Sequence, residues 1–197
     1  MPAKKCSLST IQQPAVIKNG VTVPFPLKPT SVKQPTATAI VYCEGNFSAL
    51  DGKTANGLVR HSEKYKILSV IDSEKTGLDT GMILDDKIND IPICRDLADA
   101  LEQAGNVPDY FIFGMAPSSG MLSIHERSLI LEAMAHGMNI VNGLHEFLNE
   151  DPVFIAACTA NNVKILDIRK PRAKKDLRMF SGRIHDVTCP RIAVLGT

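Results

Sequence analysis

The chain has 197 residues, 44% hydrophobic and 22% charged, which suits one domain with a sizeable core. Its 22 lysines and arginines face 21 aspartates and glutamates, a balance that provides no basic surface for nucleic acid or an anionic membrane. Five scattered cysteines without a C-x-x-C pair, no apolar run of about 18 residues and no signal peptide predict a cytoplasmic protein.

The N-terminal 35 residues are rich in proline, with six of the twelve prolines in the chain. Proline lacks the N–H that a helix or a central strand needs, so residues 1–35 are predicted to form an arm outside the core. Within the arm, Asn19-Gly20 separates two short apolar runs in AVIKNGVTV. Asn-Gly accepts the positive φ angles of a tight turn, and this stretch is therefore predicted to be a β-hairpin.

From residue 36 onwards, short apolar runs alternate with segments of helical periodicity. The predicted strands are TAIVYCEG, KILSVIDS, YFIFGMAP, NIVNG, VKILDIR and RIAVLG. The four predicted helices are DGKTANGLVRHS with Asp51 as N-cap, CRDLADALEQAG, SIHERSLILEAMAHG with a capping box, and DPVFIAACTANN. Strands that are apolar throughout are buried on both faces. Residues 36–190 are therefore predicted to form a doubly wound, mostly parallel Rossmann-like α/β domain with helices on both faces.

In such a sheet, ligands bind beyond the carboxyl ends of the strands. The first candidate there is the helix start at Lys53 and Thr54, where free amides can attract an anion. Six residues separate Gly45 from Gly52, so the loop is too long for a P-loop. An ordinary solvated first turn is the alternative. Gly52 and Gly57 are poor helix formers, which indicates that other groups pack closely against them.

Asp72 ends the second predicted strand, where a dinucleotide-binding fold places an acid for the ribose. The chain has no G-x-G-x-x-G, and Asp72 lies 27 residues after Gly45 rather than the roughly 20 of that fingerprint. Asp72 is kept as a candidate substrate-binding residue, with a helix cap or turn as the alternative.

The segment before the third helix contains Ser118, Ser119 and Gly120, whose hydroxyls and amides could hold a phosphate or carboxylate. Cys43 is expected to be a small buried residue. Because the cysteines and histidines show no metal-ligand spacing, we predict no metal site.

Two later strand ends carry further polar side chains. Asn142 ends the fourth strand, and His145 follows it as a candidate acid, base or oxyanion donor, or as a structural residue. Asp167 and Arg169 end the fifth strand. A period of two places both on one face, which predicts that they pair or that they clamp an anionic substrate.

Residues 40–197 contain, in order, LDGKTANGLVR, VIDSEKTGLDTG, GMAPSSGMLS, NIVNGLHEFLNEDP, ILDIRKP and RIAVLGT. Together these stretches resemble the N-terminal Rossmann-like half of a two-domain bacterial and archaeal family. Its members are labelled NAD-dependent epimerase/dehydratase or D-glutamate N-acetyltransferase. Members of the family commonly have a Gly-Gly step where this chain has two serines and a glycine.

In that family, the strand similar to AVLGT continues into a P-loop and a second, P-loop NTPase domain. The resemblance implies that residues 191–197 are the first strand of this missing domain, and that Gly196 and Thr197 begin a truncated nucleotide-binding loop. It also implies acetyl-CoA, or ATP or GTP, as ligands of the full-length protein. This chain alone is expected to be inactive.

The leading hypothesis is one half of an acyltransferase-type enzyme. Lys53 and Arg169 would hold a small anionic substrate such as D-glutamate, and His145 would transfer a proton. An NAD(P)-dependent oxidoreductase is the second hypothesis, and the absent fingerprint argues against it. A non-catalytic oligomerisation domain is the third, and a homo-oligomer is expected in any case.

Overall fold

The computed structural model describes residues 16–18, 21–23, 37–179, 181–186 and 188. In the N-terminal segment, β1 (Val16–Lys18) and β2 (Val21–Val23) pair antiparallel, with Val16 opposite Val23. This pairing confirms the predicted hairpin, whose turn lies outside the described residues. The predicted strand RIAVLG and the loop residues Gly196 and Thr197 also lie outside them.

Within the described residues the main sheet has six strands, and all pairings between them are parallel. Its strands are β3 (Ala37–Tyr42), β4 (Tyr65–Ile71), β5 (Ile93–Cys94), β6 (Tyr110–Phe113), β7 (Asn139–Asn142) and β8 (Ile165–Asp167). Their spatial order is β5-β4-β3-β6-β7-β8. The order reverses between β3 and β6, which places the topological switch point at the ends of these two strands. The predicted doubly wound fold is confirmed.

In the part of the chain that the structure describes, five α-helices connect the strands of this sheet: α1 (Lys53–Arg60), α2 (Thr80–Asp85), α3 (Leu97–Ala104), α4 (Ile124–Ala135) and α5 (Pro152–Asn161). Right-handed crossovers place α1 and α2 on one face and the other three on the opposite face. The contacts of α1 with α2 and of α4 with α5 agree with this arrangement. In the described part of the chain, no helix combines the length and apolarity needed to cross a membrane.

Most helix starts follow local sequence signals. The hydroxyl of Ser123 accepts from the N–H of Glu126, and the Glu126 carboxylate accepts from the N–H of Ser123 at 2.6 Å, so the predicted capping box is confirmed. Asp151 caps α5 as predicted. The prediction that Asp51 caps α1 is wrong, because Gly52 holds the N-cap position and no side chain caps this helix.

Two elements that the sequence reading missed lie between β4 and α3. The short helix α2 begins after Asp79, whose carboxylate accepts from the N–H of Gly81 at 2.9 Å. The two-residue strand β5 forms one edge of the sheet. The helix predicted to begin at Cys94 begins at Leu97 after the cap Asp96, because Cys94 belongs to β5.

The core lies on both sides of the central strands. Ala39, Ile40 and Val41 in β3 are fully buried. The neighbouring run Phe111–Phe113 in β6 is at most 2% exposed. Burial on both faces explains why these strands are apolar at nearly every position. The same sheet places the loops after β3, β6, β7 and β8 at one edge of the domain.

Candidate functional site

The carboxylate of Asp72, a buried residue at the end of β4, is hydrogen-bonded to donors within the protein. Its carboxylate accepts from the N–H groups of Gly45 (3.2 Å), Phe47 (3.1 Å) and Glu74 (3.1 Å), and from Lys75 Nζ (3.2 Å). Both oxygens are therefore occupied by protein donors. Asp72 stabilises the loops after β3 and β4 and corresponds to the cap-or-turn alternative.

The ends of β7 and β8 are joined in the same way. Asn142 is fully buried, and its Nδ2 donates to Asp167 Oδ1 at 2.8 Å and to the carbonyl of Glu146 at 2.7 Å. The Asp167 carboxylate also accepts from the N–H groups of Leu148 (3.2 Å) and Asn149 (3.0 Å). These two side chains fix the loop that contains His145.

The predicted pairing of Asp167 with Arg169 is wrong, because the Asp167 carboxylate bonds to Asn142 and Arg169 bonds to His145. That the two residues clamp a ligand together stays a prediction. Asp167 is the last residue of β8 and is 7% exposed, whereas Arg169 lies in the turn that follows the strand. Beyond the strand end the period of two no longer applies, so it does not place both side chains on one face.

Arg169 instead contacts His145. Its Nη1 lies 2.7 Å from His145 Nε2. A guanidinium has donors only, so Nε2 must accept and the imidazole proton is assigned to Nδ1. The structure therefore brings together the candidate proton carrier and a candidate anion-binding cation at the C-terminal edge of the sheet.

A cavity of about 270 Å³, here called the histidine–arginine cavity, is lined by residues 116–120, 143–145 and 169. It brings together five of the predicted site residues: Ser118, Ser119, Gly120, His145 and Arg169. Gly120 closes a turn by donating its N–H to the carbonyl of Pro117 at 2.9 Å, with a φ of +66° that favours glycine. The ring of His145 packs against this glycine.

Two residues that the sequence reading missed hold the walls of this cavity together. Glu146 accepts from the N–H of Leu122 at 2.9 Å and pairs with Arg127 of α4. Arg127 also pairs with Asp151 and lies 4.9 Å from the ring centroid of Phe154. Its hydrogen bond holds the pKa of Asp151 below the usual range. The sequence signal that could have identified Glu146 is its charge directly after the candidate histidine.

Some N–H groups in the first turn of α1 are already hydrogen-bonded to backbone carbonyls of the protein. The N–H of Ala55 donates to the carbonyl of Gly114 at 3.1 Å, and the N–H of Lys53 donates to the preceding loop at 3.2 Å. The expected free amides are therefore partly used. Thr54 and Arg169 both line an apolar groove of about 290 Å³ beside the histidine–arginine cavity, whereas Lys53 is exposed and lines neither space.

Gly52 and Gly57, both predicted to be closely packed, differ in the space around their missing side chains. A Cβ on Gly52 would lie 2.0 Å from the carbonyl oxygen of Asn46, so the predicted close packing is confirmed there. A Cβ on Gly57 would have no neighbour within 4 Å, so the prediction is wrong at that position.

The buried cysteines are not activated. Burial raises the pKa of the Cys43 thiol to about 12 and that of Cys94 to about 11. Both are therefore protonated at neutral pH, as expected of inert core residues. Within the residues that the structure describes, no group of three or more His, Cys, Asp or Glu side chains is arranged to hold a metal.

A parallel sheet of this order, with a polar cavity at its C-terminal edge, defines a Rossmann-like domain. Residues 73–171 match DUF1611_N, a family described as a Rossmann-like domain of unknown function. The chain belongs to this family.

Other known proteins are similar to parts of the chain. A solved DUF1611 family protein from Anabaena variabilis is 27% identical, with a TM-score of 0.67 over 78% of this chain and 42% of that chain. A curated D-glutamate N-acetyltransferase from Pseudoalteromonas is 39% identical over 61 residues, or 31% of this chain and 18% of the relative. The reductoisomerase of 1-deoxy-D-xylulose 5-phosphate from Zymomonas mobilis, solved with NADPH, has a TM-score of 0.40 at 14% identity and covers 68% of this chain and 39% of that chain. The chain thus spans less than half the length of each relative.

Proposed function

We propose that the histidine–arginine cavity binds a small carboxylate substrate, and that the full-length protein transfers an acyl group to a D-amino acid such as D-glutamate. The observation that carries the proposal is the meeting of Arg169, His145 and the Ser118–Gly120 turn at one cavity. The activity for which the Pseudoalteromonas relative is named supports the choice of substrate.

Arg169 is suited to bind a carboxylate. Among the described residues it forms no ion pair with an Asp or Glu side chain, in contrast to Arg127. A guanidinium presents parallel N–H donors that match the two oxygens of a carboxylate. The exposed Ser118 also lines the cavity and offers its hydroxyl as a further donor.

His145 is suited to accept a proton once the substrate is bound. A carboxylate that engages Arg169 would draw the guanidinium away from His145 Nε2 and leave that nitrogen free to accept a proton. In the proposed transfer, the substrate amine forms a bond to the acyl carbon and the carbon–sulfur bond of the acyl donor breaks. The proton lost by the amine goes to His145, and the thiolate leaves with the donor and is then protonated.

The size of the cavity limits what it can hold. About 270 Å³ suits a small dicarboxylate and is too small for coenzyme A. The carrier of the acyl group, like any ATP or GTP, would therefore be bound by other parts of a full-length family protein.

A dinucleotide-dependent oxidoreductase has less support. Both oxygens of Asp72 already accept from protein donors, so binding a ribose would break the loop contacts of this residue. The first turn of α1 is also held by the carbonyl of Gly114, where a pyrophosphate would need free amides.

The binding proposal predicts that Arg169→Ala weakens D-glutamate binding by about 10- to 100-fold, because the substrate carboxylate loses its charged partner. Isothermal titration calorimetry of the chain with D-glutamate, and with L-glutamate for comparison, measures this loss. The matched control is Arg178→Ala, which removes an exposed arginine away from the cavity and should leave binding unchanged. Equal affinity of the wild type and Arg169→Ala would rule out the proposed site.

A further inference from the structure

A crevice at the topological switch point lies next to the histidine–arginine cavity and has a different lining. Two adjoining cavities of about 200 and about 620 Å³ share the side chains of Tyr42, Glu44 and His125. We call this joined space the switch-point crevice. It lies where β3 and β6 end, which is where open α/β sheets bind ligands.

The side chain of Tyr42 supplies the first indication of a ligand. Tyr42 is 4% exposed and lines both cavities, yet its hydroxyl has no hydrogen-bond partner among the described residues. Its ring is held against Phe111 and Phe113, with centroid distances of 6.1 and 5.6 Å. The hydroxyl is not one of the fully buried atoms without a partner, so the crevice leaves it open to solvent or to a ligand. A hydroxyl held in place at the crevice wall is therefore suited to bind a ligand group.

The electrostatic surroundings keep this hydroxyl protonated. Burial, reinforced by the carboxylates of Glu126 and Glu44, raises the pKa of Tyr42 above its ordinary value. At neutral pH the group is thus a neutral phenol that can both donate and accept a hydrogen bond.

The charge of the walls defines the class of ligand. The crevice is lined by five carboxylates: Glu44, Asp51, Asp96, Glu126 and Glu132. The guanidinium of Arg95 also lines it and pairs with Asp96 at 3.0 Å, so these two charges offset each other and four carboxylates remain. Glu44 accepts from the N–H of Ser73 and Glu126 from that of Ser123, and each keeps lone pairs for a further donor. Phosphate groups would be repelled by these walls. An ammonium group offers three donors to carboxylate and phenol oxygens, and no acceptor is required.

The larger cavity adds an apolar surface. Ile71 at the end of β4, Leu97 of α3 and Leu129 of α4 all line it. These side chains can pack against a hydrocarbon stem but offer no hydrogen bonds.

We propose that the switch-point crevice is a binding site for a small aliphatic amine. The ammonium group lies against the Tyr42 hydroxyl and the carboxylates of Glu44 and Glu126, and the stem packs against the apolar side chains of the larger cavity. The site goes beyond the proposed carboxylate site, because its walls carry the opposite charge and select a different class of ligand.

Calorimetric titration of the chain with putrescine, with butanediol as its uncharged analogue, tests this proposal. Putrescine is expected to bind and butanediol is not. Tyr42→Phe keeps the ring packing and removes the hydroxyl, and should weaken putrescine binding about tenfold. Glu126→Gln removes one charge while glutamine still completes the capping box, and should weaken it by a similar factor.

The matched control is Glu102→Gln, which removes an exposed charge on α3 outside the crevice and should leave putrescine binding unchanged. Thermal unfolding of each variant verifies that the fold is retained. The proposal is overturned if putrescine shows no binding up to about 10 mM, a limit near the weakest measurable affinities. It is also overturned if Tyr42→Phe binds as well as the wild type, if butanediol binds equally, or if NADH displaces putrescine.

Discussion

Replacing Asp167 by alanine is expected to lower the free energy of unfolding by about 3–5 kcal/mol. The variant removes the acceptor of three hydrogen bonds: one from Asn142 Nδ2, which still donates to the carbonyl of Glu146, and those from the N–H groups of Leu148 and Asn149. Each unsatisfied buried donor costs about 1–3 kcal/mol, and hydrogen bonds to a charged group are among the stronger ones. Chemical denaturation followed by circular dichroism measures the change.

The matched control for this variant is Asp176→Ala. Asp176 is exposed in the segment after β8, so its removal should change the free energy of unfolding by no more than about 0.5 kcal/mol. A loss below about 1 kcal/mol in Asp167→Ala would show that the carboxylate does not hold the loop after β7. In that case the fixed position of His145 would also lose its explanation.

Replacing Gly52 by alanine is expected to destabilise the protein by about 2–4 kcal/mol, because the added methyl group cannot be accommodated. Its Cβ would lie 2.0 Å from the carbonyl oxygen of Asn46 and 2.9 Å from Cys43 Sγ. The first of these neighbours is backbone, so relief requires the loop after β3 to move. The midpoint of thermal unfolding reports the effect.

Gly57→Ala is the matched comparison on the same helix and should have the opposite sign. Gly57 lies inside α1 with open space around its missing side chain, so alanine should raise the free energy of unfolding by about 0.5–1 kcal/mol through helix propensity. If Gly52→Ala raised the free energy of unfolding as Gly57→Ala is expected to do, close packing would not explain the glycine at position 52.

The main elements of the fold could be predicted from the sequence because burial on both faces makes the strands apolar throughout. The runs around Ile40, Ile67 and Phe111 are long enough to be recognised in this way. The strand β5 has two residues between Pro92 and Arg95, too few for any period to show. The helix α2 has only six residues and depends on contacts outside the helix, such as the hydrogen bond from the N–H of its Gly81 to Asn89.

The site could be predicted only in part. The predicted strand ends placed His145, Arg169 and the turn at Ser118 at one edge of the sheet, because parallel strands bring the loops that follow them to the same edge. The structure shows these residues around one cavity. The roles of Asp72 and Asp167 depended on which backbone N–H groups point at them, and no sequence pattern states this. That the Tyr42 hydroxyl faces a crevice could not be predicted, because a tyrosine in a strand usually contributes to the core.

The central claim is that a small carboxylate binds between Arg169 and His145, and the ring nitrogens of His145 report on it most directly. Long-range ¹H–¹⁵N NMR spectra of the five histidines during titration with D-glutamate would observe them separately. We expect the His145 Nε2 resonance to move as Arg169 turns to the ligand, while the signals of His61 and His136 remain in place. If D-glutamate leaves the His145 resonances unmoved at saturation, the claim is contradicted.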